Sequence, residues 1–348
     1  MVLIMKITIK TLLPILLFSF LFNCQKESQN KGQNNSIIGL LYVKNFDDTQ
    51  CSTNALTPLG GTIAALNTDT IENSSTRSGV VGTATEVYVI SQNSSGFNTL
   101  IKKLSNGTFS NFAGSTTSGD TDATGTNAAF TSLTSIVADS SGNLYVVDEK
   151  ARKVKKITTA GVVTTLVTYV NETPRALAID KNNNIFISVN SGKINKLDSN
   201  LNLTVYKSGI SGNPPAMITV DSSGNLYYTT LDSAYTYGFN GGSGTIIKIG
   251  TDLNTSTFAT IPTLYAISAD SKGNIYALEG GTSSVYIRGA VQKISSSGTA
   301  TKIIQGSKVS NSSCTYNMPI YPGYAISLNS NDELFLYGPN NLVYKFKN

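Results

Sequence analysis

An aliphatic residue followed directly by an aromatic one recurs six times along the chain: Val87-Tyr88, Leu144-Tyr145, Ile185-Phe186, Leu226-Tyr227, Ile275-Tyr276 and Leu334-Phe335. Downstream of each pair stands a second mark, an aliphatic residue two positions ahead of a lysine: Lys103, Lys156, Lys196, Lys248, Lys293 and Lys345. Two independent marks in the same order, six times over, define a repeated supersecondary unit. A unit of this size cannot bury an apolar face alone, so the copies must pack on one another.

Four of the pairs follow a near-identical turn phrase, opened by Asp139, Asp180, Asp221 and Asp270 and closed by Gly142-Asn143, Asn183-Asn184, Gly224-Asn225 and Gly273-Asn274. The sixth copy is degenerate, Asn329 to Glu333, and the first is barely recognisable. The phrase suits a tight hairpin, in which Asp caps the turn amides and Gly or Asn accepts a positive φ. The four aspartates are therefore expected to be structural. The recurring lysine reads as a long stem over apolar surface with its ammonium in water.

Each unit reads as four antiparallel strands, a to d. Six of them predict an all-β, six-bladed β-propeller of four-stranded blades. After Lys345 only three residues remain, so the sixth blade lacks strand d and an N-terminal strand must close it. Ile37–Val43 and Thr62–Asn67 are the candidates, and spacing to the first blade favours the second.

The segment Ala138-Asp139-Ser140-Ser141-Gly142-Asn143-Leu144-Tyr145-Val146-Val147-Asp148 resembles the core of NHL repeats, and the connection from Ala113 to Phe130 resembles their long inter-blade loop. The likeness is close over 107–230, looser over 231–348 and weak before 85. It implies the propeller fold; the NHL family spans enzymes and pure binding modules, so activity must be argued from a site.

Lys6 and Lys10 precede an apolar run, Thr11–Phe22, that is too short to span a bilayer and suits an export signal. Leu21-Phe22-Asn23-Cys24 resembles a bacterial lipobox, with Asn23 where Gly, Ala or Ser is usual. That resemblance implies a signal peptide over 1–23 and a lipid such as palmitate on Cys24; the polar stretch that follows reads as a flexible tether over 24–36, and the repeats place the propeller over 37–348. The expected address is the cell envelope, anchored through lipid to the outer membrane. The other two cysteines, Cys51 and Cys314, are then the only possible pair in an oxidising compartment, and a disulfide is expected near the closing seam.

Loop lengths are uneven. From the aromatic to the lysine the intervals are 15, 11, 10, 21, 17 and 10 residues, and from each lysine to the next aromatic 42, 30, 31, 28 and 42. The surplus falls on one face, that of the b–c and d–a loops, over blades four, five, six and one. Insertions on one face of a repeat array usually carry binding. Tyr235, Tyr237, Phe239, Tyr286, Arg288, Tyr316 and Tyr321 stand in these insertions and are the candidate contacts for a protein or glycan.

The chain contains no histidine, which removes imidazole bases and imidazole metal sites. An enzyme is thus the less favoured reading, and no cofactor is expected. A carboxylate- or calcium-dependent hydrolase or lyase of the lactonase type is the alternative. Asp120 and Asp122 form a D-x-D that calcium could use, although capping their loop is preferred. The formal charge of +5, reduced by loss of Lys6 and Lys10, leaves no footprint for nucleic acid. The preferred expectation is a monomeric, lipid-anchored binding or scaffold protein.

Overall fold

The computed structural model describes residues 56–58, 62–66, 79–92, 97–210, 215–231, 243–262, 264–279, 290–306, 325–338 and 342–347. Two short strands come first, β1 (Leu56–Pro58) and β2 (Thr62–Ala65). Blade one follows with β3 (Val80–Gly82), β4 (Val87–Gln92), β5 (Asn98–Ser105) and β6 (Thr108–Gly114). Blade two has β7 (Leu133–Ala138), β8 (Leu144–Asp148), β9 (Lys153–Ile157) and β10 (Val163–Thr168). Blade three has β11 (Pro174–Ile179), β12 (Ile185–Val189), β13 (Lys193–Leu197) and β14 (Leu203–Lys207). Blade four has β15 (Ile218–Val220), β16 (Leu226–Leu231), β17 (Ser243–Ile249) and β18 (Thr255–Pro262). Blade five has β19 (Leu264–Ala269), β20 (Ile275–Glu279), β21 (Ala290–Ile294) and β22 (Ala300–Gly306). Blade six contributes β23 (Ala325–Leu328), β24 (Leu334–Gly338) and β25 (Leu342–Lys347).

Within each blade consecutive strands pair antiparallel, as a propeller requires. The sixth sheet is completed by β2, with Thr62 opposite Lys347 and Ala65 opposite Tyr344. Thr62–Asn67 therefore supplies the closing strand; Ile37–Val43 lies outside the described residues. One strand was not anticipated. β1 pairs with β22, Leu56 opposite Gly306, and gives blade five a fifth, outermost strand.

The turn phrase folds through its side chains. In blade two, Asp139 Oδ1 accepts the amides of Ser141 and Asn143 at 2.9 and 2.8 Å, and Oδ2 accepts Asn143 Nδ2 and the Tyr145 hydroxyl. Asp180, Asp221 and Asp270 make the same amide contacts. The fourth residue of each phrase takes a positive φ: Gly142 at 82°, Asn183 at 61°, Gly224 at 85° and Gly273 at 79°. This is the left-handed position that a short hairpin loop needs in order to reverse between twisted strands.

The six aromatics of the repeat then build the inter-blade cores. Tyr88 packs between blades one and two, Tyr145 between two and three, Phe186 between three and four, Tyr227 between four and five, and Tyr276 between five and six. Phe335 packs between blades six and one with Val80, Val89 and Val343. The second strand of each blade is covered on both sides, which is why β8, β12 and β20 are buried at every position rather than alternating. The recurring lysine stands directly across from the aromatic in the sheet. Lys156, Lys248, Lys293 and Lys345 place their ammonium groups 5.6, 5.8, 5.4 and 5.7 Å from the rings of Tyr145, Tyr227, Tyr276 and Phe335.

Around the axis, the first strands touch in a closed ring: β3, β7, β11, β15, β19, β23 and again β3. The inner edge of a first strand has no partner strand, and hydroxyls of the preceding blade serve its backbone instead. Ser135 Oγ accepts the Leu177 amide at 3.0 Å, Thr219 Oγ1 that of Ala269 at 3.1 Å, Ser268 Oγ that of Leu328 at 3.1 Å and Ser327 Oγ that of Gly82 at 3.4 Å.

Candidate functional site

The mouth of the axial ring on the b–c and d–a face is shaped by a recurring irregularity. The pairing of β7 with β8 slips between Leu133 and Ser135, that of β11 with β12 between Pro174 and Ala176, and that of β19 with β20 between Leu264 and Ala266. The residues passed over are Thr134, Arg175 and Tyr265. Each stands five positions ahead of its turn aspartate, at the start of the innermost strand. A bulge of this kind re-aims a side chain and ends regular pairing, which is why bulges recur beside functional sites. Thr134, Arg175 and Tyr265 are half-exposed, whereas their predecessors Leu133, Pro174 and Leu264 are buried. On an innermost strand, exposure at the loop end means exposure to the axial mouth. Ala216 takes the same spacing in blade four and is also half-exposed; Ser78 and Tyr324 fall outside the described residues.

Two of these positions are tied together. Thr134 Oγ1 donates to the Arg175 carbonyl at 3.2 Å and so fixes the backbone on which the guanidinium rides. The guanidinium itself makes no hydrogen bond. Arg175 Nη1 lies 3.9 Å from Glu149 Oε1, too far for one, and Arg175 Nε is shielded from water with no acceptor. Both side chains keep some exposure, 29% for Arg175 and 21% for Glu149. A cation and a carboxylate thus stand 3.9 Å apart at the mouth.

The carboxylates around them are committed to structure. Asp148, fully buried, accepts the Thr131 and Ser132 amides at 2.9 and 2.8 Å and the Thr131 hydroxyl. Glu279, at the equivalent register of blade five, accepts Gln292 Nε2 at 2.6 Å and pairs with Lys302 at 3.5 Å. In blade three, Asn190 Oδ1 accepts the Thr173 amide at 2.8 Å. Asp148 and Asn190 hold the segments that arrive from preceding blades, and Glu279 ties together strands of its own blade.

Asp120 and Asp122 behave likewise. Lys155, with no exposed surface, reaches Asp120 at 2.8 Å and Asp122 at 3.0 Å; Lys153 reaches Asp120 at 2.5 Å, and Asp122 Oδ2 accepts the Thr165 amide at 2.7 Å. Burial alone would raise both carboxyls, but Lys153 and Lys155 hold Asp120, and Lys155 with the Thr165 amide and hydroxyl holds Asp122, below the usual 3.8. Burial works against the Lys155 ammonium too, and the two carboxylates outweigh it and raise its pKa. The pair of aspartates is therefore a latch that pins the loop from blade one onto blade two. Its oxygens are spent on ammonium groups and an amide, which does not suit a calcium ion. Among the described residues no three carboxylates or thiols gather as metal ligands.

Asp139, Asp180, Asp221 and Asp270 lie in turns on the opposite face and are not brought to the mouth. Cys24, Cys51, Cys314, Tyr235, Tyr237, Phe239, Tyr286, Arg288, Tyr316 and Tyr321 lie outside the described residues. Thr134, Arg175 and Tyr265 were not singled out from sequence. A signal existed: a fixed offset of five from the turn aspartate, at which Arg175 breaks the otherwise apolar strand Pro174–Ile179.

No family model matches the chain, and no curated protein matches it. Solved structures do. A streptogramin B lyase is 15% identical over 86% of this chain and 99% of its own, with a TM-score of 0.52. A putative gluconolactonase is 10% identical over 84% and 93%, with a TM-score of 0.54. A catalytically inactive virginiamycin B lyase from Staphylococcus aureus, solved with quinupristin, is 14% identical over 83% and 100%, with a TM-score of 0.50. The likeness is one of fold. Propeller lyases and lactonases share this architecture, and at these identities the comparison carries no residue across.

Proposed function

We propose that the protein acts on a small molecule at the axial mouth as a carboxylate-dependent hydrolase or lyase of the lactonase type. The observation that carries this reading is the Glu149–Arg175 pair, 3.9 Å apart where a bulge turns the innermost strand toward the axis. A carboxylate beside the mouth can take a proton from water or from a substrate carbon, and a neighbouring guanidinium stabilises the negative charge that develops. The fold likeness to a streptogramin B lyase and a putative gluconolactonase supports the reaction class and contributes no residues. Calcium has no part in the proposal, because Asp120 and Asp122 are bound to lysines.

In this reading the export signal and Cys24 put the activity on a lipid-anchored, NHL-like envelope protein. The contrasting role, binding of a protein or glycan by the insertion 232–243 and its neighbours, rests on the length and aromatic composition of those loops. The test is a pH-stat assay of the purified full chain against a panel of five- and six-membered lactones. Native protein should open at least one of them, and Glu149→Gln should slow that reaction by about 100-fold or more. Absence of turnover across the panel would remove the enzymatic reading.

A further inference from the structure

The guanidinium of Arg175 poses a question that the protein does not answer. It offers five N–H donors, and the described structure gives them no acceptor. Arg152, by comparison, donates to the Val170 carbonyl at 2.6 Å. Leaving Nε shielded from water and unpaired is unfavourable, and the cost is tolerated chiefly where something else completes the group. The backbone beneath it is not loose, since Thr134 Oγ1 holds the Arg175 carbonyl and Ser135 Oγ holds the Leu177 amide two residues on. The side chain therefore stands on a fixed base with its charge end uncommitted.

We propose that Arg175 docks a carboxylate carried by the ligand, so that acid-bearing molecules are taken at the mouth in preference to their neutral counterparts. This rests on the axial mouth being the site, and it names the class of molecule taken there. Glu149 approaches Nη1, which leaves the opposite edge of the guanidinium, Nε with Nη2, unengaged. That edge presents two parallel N–H groups at the spacing of carboxylate oxygens and suits a bidentate pair. Nε is shielded in the present arrangement, so docking requires the guanidinium to turn. The turn breaks no hydrogen bond, because none is made. Thr134 and Tyr265, at the same register of blades two and five, add hydroxyl-bearing side chains around the same mouth.

The experiment uses the purified full chain and two isosteric probes, benzoate and benzamide, with binding followed by saturation-transfer NMR and calorimetry. Benzoate should bind about tenfold or more tightly than benzamide, the discrimination expected of a hydrogen-bonded ionic contact. Arg175→Ala should abolish the preference with an unchanged circular dichroism spectrum, and Arg175→Lys should restore part of it. Equal binding of the two probes, no binding of benzoate, or an undiminished preference in Arg175→Ala would each overturn the proposal. The lactonase reading fails separately, if the native protein opens no lactone of the panel while benzoate still binds through Arg175.

Discussion

The ring of Phe335, in the last blade, lies against Gly82 in the first, so close that a Cβ on Gly82 would sit 2.2 Å from the nearest ring carbon. The two residues are distant in sequence and meet only because the ring closes. Ser327 Oγ accepts the Gly82 amide beside them, and Asn329 Nδ2 donates to the Thr83 carbonyl at 2.9 Å. Gly82→Ala should therefore destabilise the protein by about 1–3 kcal/mol through overpacking at the seam. Phe335→Leu in the same chain should recover part of the loss. Urea unfolding of the single and double variants measures both, and a neutral Gly82→Ala would mean that the seam has slack.

The turn aspartates should differ among themselves. Asp221 is buried and accepts the Tyr227 hydroxyl at 3.1 Å as well as two turn amides, whereas Asp180 has no tyrosine partner among its hydrogen bonds. Asp180→Ala should cost on the order of 1 kcal/mol, the usual loss of a capping oxygen. Asp221→Ala should cost about 1 kcal/mol more, because a buried phenol is left unpaired. Neither should change ligand binding at the mouth, since the turns lie on the other face. Calorimetric melting with a parallel binding assay separates the two effects.

Acid should weaken the inter-blade latch. The Asp120 carboxyl is held below 3.8 by Lys153 and Lys155, and that of Asp122 by Lys155 and the Thr165 amide and hydroxyl. A depressed folded-state value means stability that is present above about pH 4 and is given up as pH falls through the lowered values. The melting temperature of the native protein should thus drop between about pH 4 and 2 more steeply than that of Asp120→Asn/Asp122→Asn. At neutral pH the double variant should be the less stable, because the buried Lys155 ammonium loses its counter-charges. Parallel slopes would show that the latch contributes nothing.

Closure by β2 sets a limit on truncation. Thr62 to Ala65 pair with β25, and the Leu66 amide donates to the Val343 carbonyl at 2.8 Å. A fragment beginning at residue 68 exposes the edge of β25 and should aggregate or lose cooperative unfolding. A fragment beginning at residue 37 keeps the strand and should unfold in one transition. Size-exclusion chromatography and thermal melts of the two decide it.

Cys51 and Cys314 should be joined in protein from an oxidising compartment. Both lie outside the described residues, and the strand beside them informs the expectation. Leu56 pairs directly with Gly306, antiparallel, and the cysteines stand five residues before one and eight after the other. The chain just beyond Cys51 thus rests on blade five, the blade whose outgoing loop carries Cys314, rather than on blade six, where its position between the two candidate closing strands put it. Closing a loop of some 260 residues is worth up to about 5 kcal/mol in the chain-entropy treatment. Non-reducing peptide mapping should recover the linked pair, and two free thiols would refute it.

The repeat, the hairpin turns and the number of blades were legible in the sequence because they follow from local physics. Asp139 and Gly142 sit three residues apart and fix their turn by contacts within it, and Tyr145 must be buried wherever it goes. Sequence spacing also reached the closing strand, since a last blade ending after β25 leaves an edge that something must cover. What it could not reach depends on partners far along the chain. That β1 adds to blade five is decided by an edge created some 250 residues later. That Asp120 and Asp122 face lysines rather than a cation depends on where Lys155 emerges in the next blade. Arg175 looked like one charged residue in an apolar strand. Only the bulge, the hold of Thr134 on its carbonyl and the distance to Glu149 make it an uncommitted cation at the axis, because which donors go unpaired is a property of the assembled ring.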